Sequence, residues 1–199
     1  MQALKETGLD QAILRAHQQG SMVAGICGGY QILGQQLQDP EEVESTITQQ
    51  KGLGLLDTVT QFNQHKITTQ ATAKRGHLVL NGYEIHMGTT VLGPNAHAFA
   101  TIITNNGLDT NRSDGAISAD GTVWGTYLHG IFDNAKWARQ LLNQLRQAKG
   151  LSPLVDTTLS LSAYKEQQYD KLAQTFEDNV DMSKLNQILS ASVIDEGEA

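Results

Sequence analysis

The sequence predicts an α/β fold with an open, partly parallel sheet and helices at the carboxyl end of its 199 residues. Three observations predict this class. A short apolar run over residues 21–26 is followed by helical spacing over residues 30–37, as in a buried strand that turns into a helix. From Gly52 the pattern changes to extended segments rich in β-branched residues, and from Asp133 it becomes helical again.

Composition excludes several classes of function. A hydrophobic content of 39% is enough for a sizeable core, and a net charge of −7 without a cluster of Lys or Arg argues against nucleic-acid binding. No apolar run approaches the roughly 20 residues of a membrane span, so neither a membrane partner nor a location outside the cytoplasm is expected. The single cysteine cannot form an internal disulfide, and the six histidines lack metal-ligand spacing, so no metal is expected.

The first 20 residues contain one predicted helix and no strand pattern. Asp10 is a suitable N-cap for a helix over residues 11–19, and Gly20 is a suitable C-terminal stop. An open parallel sheet with a functional residue on a central strand normally has earlier strands. The expectation is therefore a sheet that lacks its first strands, in an N-terminally incomplete chain.

The middle of the chain is predicted to be rich in strands. Residues 39–45 form an acidic loop, most simply a solvated surface segment. Asn81-Gly82 is a turn signal within this region, and Asp120-Gly121 predicts a hairpin whose second strand ends at His129-Gly130. Four other extended segments are predicted over residues 53–62, 66–73, 78–86 and 98–104.

Helical patterns complete the chain. From Asp133 the spacing is helical, and the helix, which stops at Gly150, is predicted to carry four apolar residues on one face: Trp137, Leu141, Leu142 and Leu145. Two amphipathic helices are predicted within residues 159–190, separated near residues 179–183, and residues 195–199 form an acidic tail. The predicted organisation is thus a domain over residues 1–150 and a helical extension of the same domain over residues 151–199.

Cys27 lies on the predicted turn between strand and helix. Such an elbow holds a nucleophile in a strained backbone geometry at the carboxyl end of a sheet. Glycines flank it at Gly25, Gly28 and Gly29, where a Cβ is expected to clash. A buried, inert cysteine is the common alternative, but the three glycines favour a nucleophile.

His129 follows the end of another predicted strand. If both strands run parallel in one sheet, Cys27 and His129 emerge at the same carboxyl edge, where open α/β sheets bind ligands. A thiolate that attacks a carbonyl needs a nearby base, and later an acid for the leaving amine. The sequence therefore predicts a Cys–His pair.

These residues resemble a known family. The string Gly25-Ile26-Cys27-Gly28-Gly29-Tyr30-Gln31 matches the G-x-C-x-G-x-Q motif of class I, triad-type glutamine amidotransferases, whose fold is a flavodoxin-like open sheet. Residues 25–34, 52–56, 82–88 and 126–133 together resemble the glutaminase domain of cobyric acid synthases. The resemblance covers nearly the whole chain and is least diagnostic in the C-terminal helices.

The resemblance implies roles for particular residues. Cys27 would attack the side-chain amide of glutamine, and the backbone amide of Gly28 would be one oxyanion donor. His129 would protonate departing ammonia and then activate water against the γ-glutamyl thioester. Gln31 resembles a position that helps to hold the substrate, and the strand with Glu84 and His86 borders the active site in the family.

The resemblance also implies partners beyond glutamine. The ammonia would pass to an ATP-dependent synthetase region, absent from this sequence, which amidates the side-chain carboxylates of a corrinoid in cobalamin biosynthesis. ATP and Mg²⁺ would be used there, and no cofactor is expected in this chain.

Two departures from the family pattern have consequences. Many class I members have an acidic residue two positions after the histidine, where this sequence has Ile131, so the histidine would be part of a dyad. Asp133 or Glu84 could orient His129, and the sequence leaves both open. A second oxyanion donor lies on an earlier strand in the family, and removing one donor costs about 10²–10³ in rate. The chain alone is therefore expected to be a weak or inactive glutaminase.

Two other functions are compatible with parts of the pattern. Another hydrolase with a cysteine elbow would need an Asp between nucleophile and histidine, and it would not explain Gln31. A non-catalytic binding or scaffold domain would keep the fold without turnover.

Overall fold

The computed structural model describes residues 1–155 and 161–192. The helices of these residues are α1 (Gln2–Thr7), α2 (Leu9–Gln18), α3 (Gly28–Leu33), α4 (Ala135–Ala148), α5 (Leu161–Asn179) and α6 (Met182–Ser192). The strands are β1 (Val23–Ile26), β2 (Gln36–Gln38), β3 (Gln49–Lys51), β4 (Thr58–Arg75), β5 (Leu78–Leu92), β6 (Ala96–His97), β7 (Ala100–Asn105), β8 (Leu108–Asp114), β9 (Ala116–Ser118) and β10 (Val123–Thr126). The predicted tail, residues 195–199, lies outside the described residues.

The strands form two sheets. One has the order β1-β10-β9-β6, and the other has the order β3-β2-β4-β7-β8 with β5 also paired to β4. Within the described residues only β1–β10 and β2–β4 are parallel pairs. The α/β class with open sheets is confirmed, while the strand-rich middle of the chain is mainly antiparallel.

The first three helices show one confirmed prediction and two wrong ones. The N-cap predicted at Asp10 is wrong, because α2 begins at Leu9 with Gly8 as its N-cap, and Asp10 lies inside the first turn. Gly20 lies just beyond α2 with φ 90°, a left-handed conformation that suits glycine at a helix end. The helix predicted over residues 30–37 is too long at its end. Gly34 is extended (φ −66°, ψ 177°), and β2 follows it, paired between β3 and β4.

A long antiparallel ribbon, β4 with β5, dominates the second sheet. The two strands predicted over residues 53–62 and 66–73 form a single strand, β4. The ribbon then turns at Gly76, where φ is 58°. The turn predicted at Asn81-Gly82 is wrong, because both residues lie inside β5 and pair with β4. Gly82 is needed there for a close approach, since a Cβ on it would lie 2.2 Å from the carbonyl oxygen of His129.

Two buried clusters hold the sheets and helices together. In one, Trp124 stacks on Phe99 at 4.8 Å between ring centroids and Trp137 of α4 packs edge-on against both. In the other, Tyr30 of α3 contacts Tyr127 edge-on at 5.1 Å. Burying each large apolar side chain contributes about 1.5–3 kcal/mol. The second cluster therefore anchors the turn that carries Cys27 to the end of β10.

The carboxyl-terminal part is helical, as predicted. The two helices α5 and α6 are separated at residues 180–181, within the predicted interval. The boundary placed at residue 150 between domain and extension stays a prediction. No helix in residues 1–155 and 161–192 has both the length and the hydropathy needed to cross a membrane.

Candidate active site

The turn that carries Cys27 is strained and lies at the carboxyl end of β1. Ile26 pairs with Thr126 in the parallel register of β1 and β10, and the Cys27 N–H donates to the Thr126 carbonyl at 2.9 Å. Cys27 has φ 53° and ψ −118°, a conformation that costs a non-glycine residue about 1–3 kcal/mol. Packing of α3 against β10 holds the chain in this geometry, so the elbow predicted from sequence is present.

The three flanking glycines have different reasons to be there. A Cβ on Gly25 would lie 2.6 Å from the backbone of Gly29, so this glycine is required by close packing. No atom lies within 4 Å of a Cβ built on Gly28 or Gly29, and the clash predicted at these two positions is therefore wrong. As the first residue of α3, Gly28 keeps its N–H outside the helical hydrogen-bond ladder.

A cavity of about 330 Å³ opens beside the Cys27 thiol. The thiol donates to the carbonyl oxygen of Ile85, on the ribbon, at a sulfur–oxygen distance of 3.3 Å. Gln31 of α3 and His86 of β5 also line this cavity. One wall is thus made by the elbow and the other by the ribbon.

His129 is fixed to the same strand of the ribbon. Its backbone N–H donates to the Tyr83 carbonyl at 2.8 Å, and its ring stacks on that of Tyr83 with centroids 5.0 Å apart and planes 7° apart. Its Nε2 atom is buried and has no hydrogen-bond partner among the described residues. Because Tyr83 and Ile85 are two residues apart on one strand, Cys27 and His129 meet the ribbon at points roughly 7 Å apart.

No hydrogen bond among the described residues joins Cys27 to His129, and no carboxylate orients the imidazole. Glu84 directs its carboxylate to Arg112, and Asp133 lies 3.7 Å from Lys165. Neither of the two alternatives for an orienting acid is therefore realised. Ile131, two positions after His129, is fully buried in the core. Tyr83 is the side chain that contacts the ring of His129.

Glu84 and His86 lie on the buried face of β5, as strand alternation predicts. Glu84 is 0% exposed, and its Oε1 lies 3.8 Å from Nε2 of His86. Burial acts to raise the pKa of Glu84, but His86 and Arg112 outweigh it and hold the pKa below its ordinary value. Both ring nitrogens of His86 are buried without a hydrogen bond among the described residues. Glu84 does not line the cavity, but its carboxylate lies beside His86, which does.

Gln31 ties the elbow to the ribbon. Its side-chain amide donates to the Met87 carbonyl at 3.0 Å and to the Tyr127 hydroxyl at 3.2 Å. Tyr127 also stacks on His86, with ring centroids 3.7 Å apart, and shares a hydrogen bond with Thr90 at 2.6 Å. The position of Gln31 in the cavity wall is therefore determined by two hydrogen bonds within the protein.

Asp114 joins the second sheet to the strand that leads to His129. Its carboxylate accepts hydrogen bonds from the Thr126 hydroxyl and, at 3.0 Å, from the Tyr127 N–H. Burial raises the pKa of Asp114 to about 6, although these hydrogen bonds act to lower it. Sequence reasoning missed both Asp114 and Tyr127. The proximity of Tyr127 to His129 in the chain is the signal that could have drawn attention to it.

Within residues 1–155 and 161–192 no group of three or more His, Cys, Asp or Glu could hold a metal ion.

Comparisons with known proteins give a family match and several relatives. Residues 1–137 match the CobB/CobQ-like glutamine amidotransferase domain family. The chain is 65% identical over 190 residues to a cobyric acid synthase of Limosilactobacillus reuteri (strain DSM 20016) and 47% identical over 190 residues to one of Streptococcus sanguinis (strain SK36). Each alignment covers 96% of this chain and 38% of the relative, so the chain spans less than half of the relatives' length.

A solved structure shares the fold. The structure of PurLQS from Thermotoga maritima matches with a TM-score of 0.50 at 18% sequence identity, over 69% of this chain and 68% of that chain. At this identity the similarity concerns the fold alone.

Proposed function

The chain belongs to the CobB/CobQ-like glutamine amidotransferase family, and on that premise we propose that it releases ammonia from glutamine through a thioester on Cys27. The observation that carries this proposal is the convergence of Cys27, which lines a cavity, and His129 on the same strand of the ribbon. A nucleophile and a base that both contact residues 83–85 can act on one bound side-chain amide.

In the first step, Sγ of Cys27 bonds to the amide carbon of glutamine. The thiol proton passes to His129, whose buried Nε2 has no partner in the described structure. The backbone N–H of Gly28 donates to the oxyanion that forms. His129 then returns the proton to the departing amine, the carbon–nitrogen bond breaks, and ammonia leaves the γ-glutamyl thioester.

In the second step, water hydrolyses the thioester. His129 takes a proton from the attacking water, whose oxygen bonds to the acyl carbon. The carbon–sulfur bond breaks, the proton returns to the sulfur, and glutamate leaves. The carbonyl of Ile85 then accepts the thiol hydrogen bond again, as in the free site.

Gln31 and His86 are the proposed contacts of the substrate side chain within the cavity. Glu84 acts as a positioning residue, because its buried carboxylate faces His86 and Arg112 instead of the open space. We also propose that a synthetase region uses the ammonia, with ATP and Mg²⁺, to amidate corrinoid carboxylates. The 65% identity to a relative named cobyric acid synthase supports this partner reaction, and a cytoplasmic location stays a prediction.

Covalent labelling tests the site without requiring turnover. A diazoketone analogue of glutamine should alkylate Cys27, detected by intact mass and peptide mapping, and glutamine should slow the reaction. Asparagine, whose amide is one methylene closer to the α-carbon, is the control for protection. The variant His129→Asn should lower the maximal labelling rate by about 10²–10⁴, the usual contribution of a positioned acid or base.

Labelling at equal rates with and without glutamine would refute a glutamine site. Absence of labelling would instead favour the scaffold function, provided that a small thiol reagent still reaches Cys27.

A further inference from the structure

The mouth of the Cys27 cavity carries two side chains of opposite charge. Glu44, from the loop after β2, and Lys66, from β4, both line the cavity and are both exposed. In the described part of the chain neither charged group has an ion-pair or hydrogen-bond partner. A ligand that carries one positive and one negative group would complement these two unpaired charges at the opening of the cavity.

Lys66 reaches the cavity because the ribbon is irregular there. Gln61 of β4 pairs with Thr89, but the next pair joins Lys66 to Met87, so four residues of β4 loop out opposite Gly88. Gly88 has φ 88°, and a Cβ on it would lie 2.9 Å from the carbonyl oxygen of Gln61. Glycine at this position therefore permits the bulge, and the bulge sets Lys66 beside the cavity wall.

Glu44 is held in place by a buried carboxylate. Asp39 is 3% exposed and accepts three backbone hydrogen bonds, each 2.8 Å long, from Val43, Glu44 and Ser45. Burial acts to raise the pKa of Asp39, but these three donors outweigh it and lower the pKa. The acidic loop predicted as a solvated segment thus has an ordered turn that presents Glu44 to the cavity.

We propose that Lys66 binds the α-carboxylate and Glu44 the α-ammonium group of a free amino acid whose side-chain amide reaches Cys27. The inference rests on the proposed function and adds a specificity to it. Free glutamine carries both charges, whereas a glutamine residue within a peptide carries neither. The site therefore selects free glutamine against glutaminyl peptides.

The test uses the full chain and the glutamine-like diazoketone, which retains both α-groups. Lys66→Met and Glu44→Gln remove one charge each and keep most of the side chain's length. Each should raise the half-saturating concentration of the diazoketone about 10-fold or more, the usual loss for one charge-assisted contact, with the maximal labelling rate unchanged. Lys74→Met on the same strand and Glu41→Gln in the same loop are matched controls that should alter neither quantity.

Modified ligands separate the two roles. Glutaminamide lacks the α-carboxylate, so Lys66→Met should abolish the native preference for glutamine over glutaminamide in protection of Cys27. N-acetylglutamine lacks the α-ammonium, so Glu44→Gln should abolish the preference for glutamine over N-acetylglutamine. Each variant should leave the other preference intact.

The two levels of the proposal fail in different ways. Native protein that is not protected by glutamine would overturn the proposed function. A second outcome would overturn only the roles of Lys66 and Glu44. In that outcome glutamine protects the native protein, but the Lys66 and Glu44 variants have the same half-saturating concentration of diazoketone as their controls.

Discussion

The two walls of the Cys27 cavity are held by different kinds of contact. The elbow wall, residues 25–31, combines a tight approach within the turn, that of Gly25 to Gly29, with pairing of β1 to β10. The ribbon wall, residues 82–88, is fixed by partners far along the chain, among them β4, Gln31 and His129. The elbow therefore positions Cys27 alone, whereas the ribbon contacts both Cys27 and His129 and sets the distance between them.

This difference predicts different consequences of mutation. Open space around Gly28 lets the elbow accept a small change near its surface. The ribbon contacts Cys27 through Ile85 and His129 through Tyr83, so a shift of β5 alters both groups together. Ribbon substitutions should thus affect stability and labelling jointly.

The largest effect is expected for Gly82→Ala on the ribbon. The new Cβ would lie 2.2 Å from the His129 carbonyl oxygen and 2.9 Å from the side chain of Leu128, so β5 must separate from the segment that carries the histidine. We expect a loss of about 3–4 kcal/mol in the free energy of unfolding, measured in urea, because backbone overlap is not relieved by a rotamer change. Gly28→Ala is the elbow control and should change this free energy by about 0.5–1 kcal/mol at most. Equal stability of the two variants would mean that the walls do not differ as described.

The next effect concerns the pH dependence of stability through Asp114, which links the ribbon's sheet to β10. Its pKa of about 6 in the folded chain exceeds the ordinary 3.8, so the folded state holds the proton more tightly. The stabilisation is fully present below about pH 4 and is lost as the pH rises through about 6, by about 3 kcal/mol at most. Glu84 acts in the opposite direction. Because its pKa is lowered in the folded chain, Glu84 stabilises the fold at pH values above its ordinary pKa, and this stabilisation is lost as the pH falls.

Asp114→Asn cannot titrate and isolates this contribution. The difference in unfolding free energy between native protein and variant should change with pH between about pH 4 and pH 7 and be flat above that interval. A difference that is constant across the interval would contradict a raised pKa.

The smallest effect is expected at Tyr83, whose ring stacks on His129. Tyr83→Ala should lower the maximal labelling rate of Cys27 about 5- to 10-fold, because a stacked aromatic pair contributes about 0.5–1.5 kcal/mol and here restricts the imidazole. Tyr83→Phe keeps the ring and should keep the rate. If both variants lose the rate equally, the hydroxyl and not the stacking is what matters.

The elbow could be predicted from the sequence because its sequence signals are local, although pairing with the distant β10 also holds it. An apolar strand, a cysteine and the glycine at position 25 specify the turn within ten residues, and the Asp120-Gly121 hairpin was predicted for the same reason. Helical periodicity correctly predicted that Trp137 and Leu141 are buried, but it was wrong for Leu142, which is 49% exposed.

The ribbon wall could not be read in this way. Asn81-Gly82 has the local signature of a turn, but pairing with β4 and contact with His129 make it part of a strand. Lys66 lies opposite Met87 only because four residues bulge out, and periodicity alone does not reveal such an insertion. Asp114 was missed because its partners, Thr126 and Tyr127, lie beyond an intervening hairpin.

The central claim is that Cys27 becomes acylated by glutamine at the junction of the two walls. The most direct measurement is an acid quench of the full chain during exposure to isotopically labelled glutamine, followed by mass analysis of the peptide that contains Cys27. We expect a labelled γ-glutamyl group on that peptide, absent with labelled asparagine and absent from Cys27→Ala. Quenched native protein without the group on Cys27, or ammonia release that persists undiminished in Cys27→Ala, would contradict it.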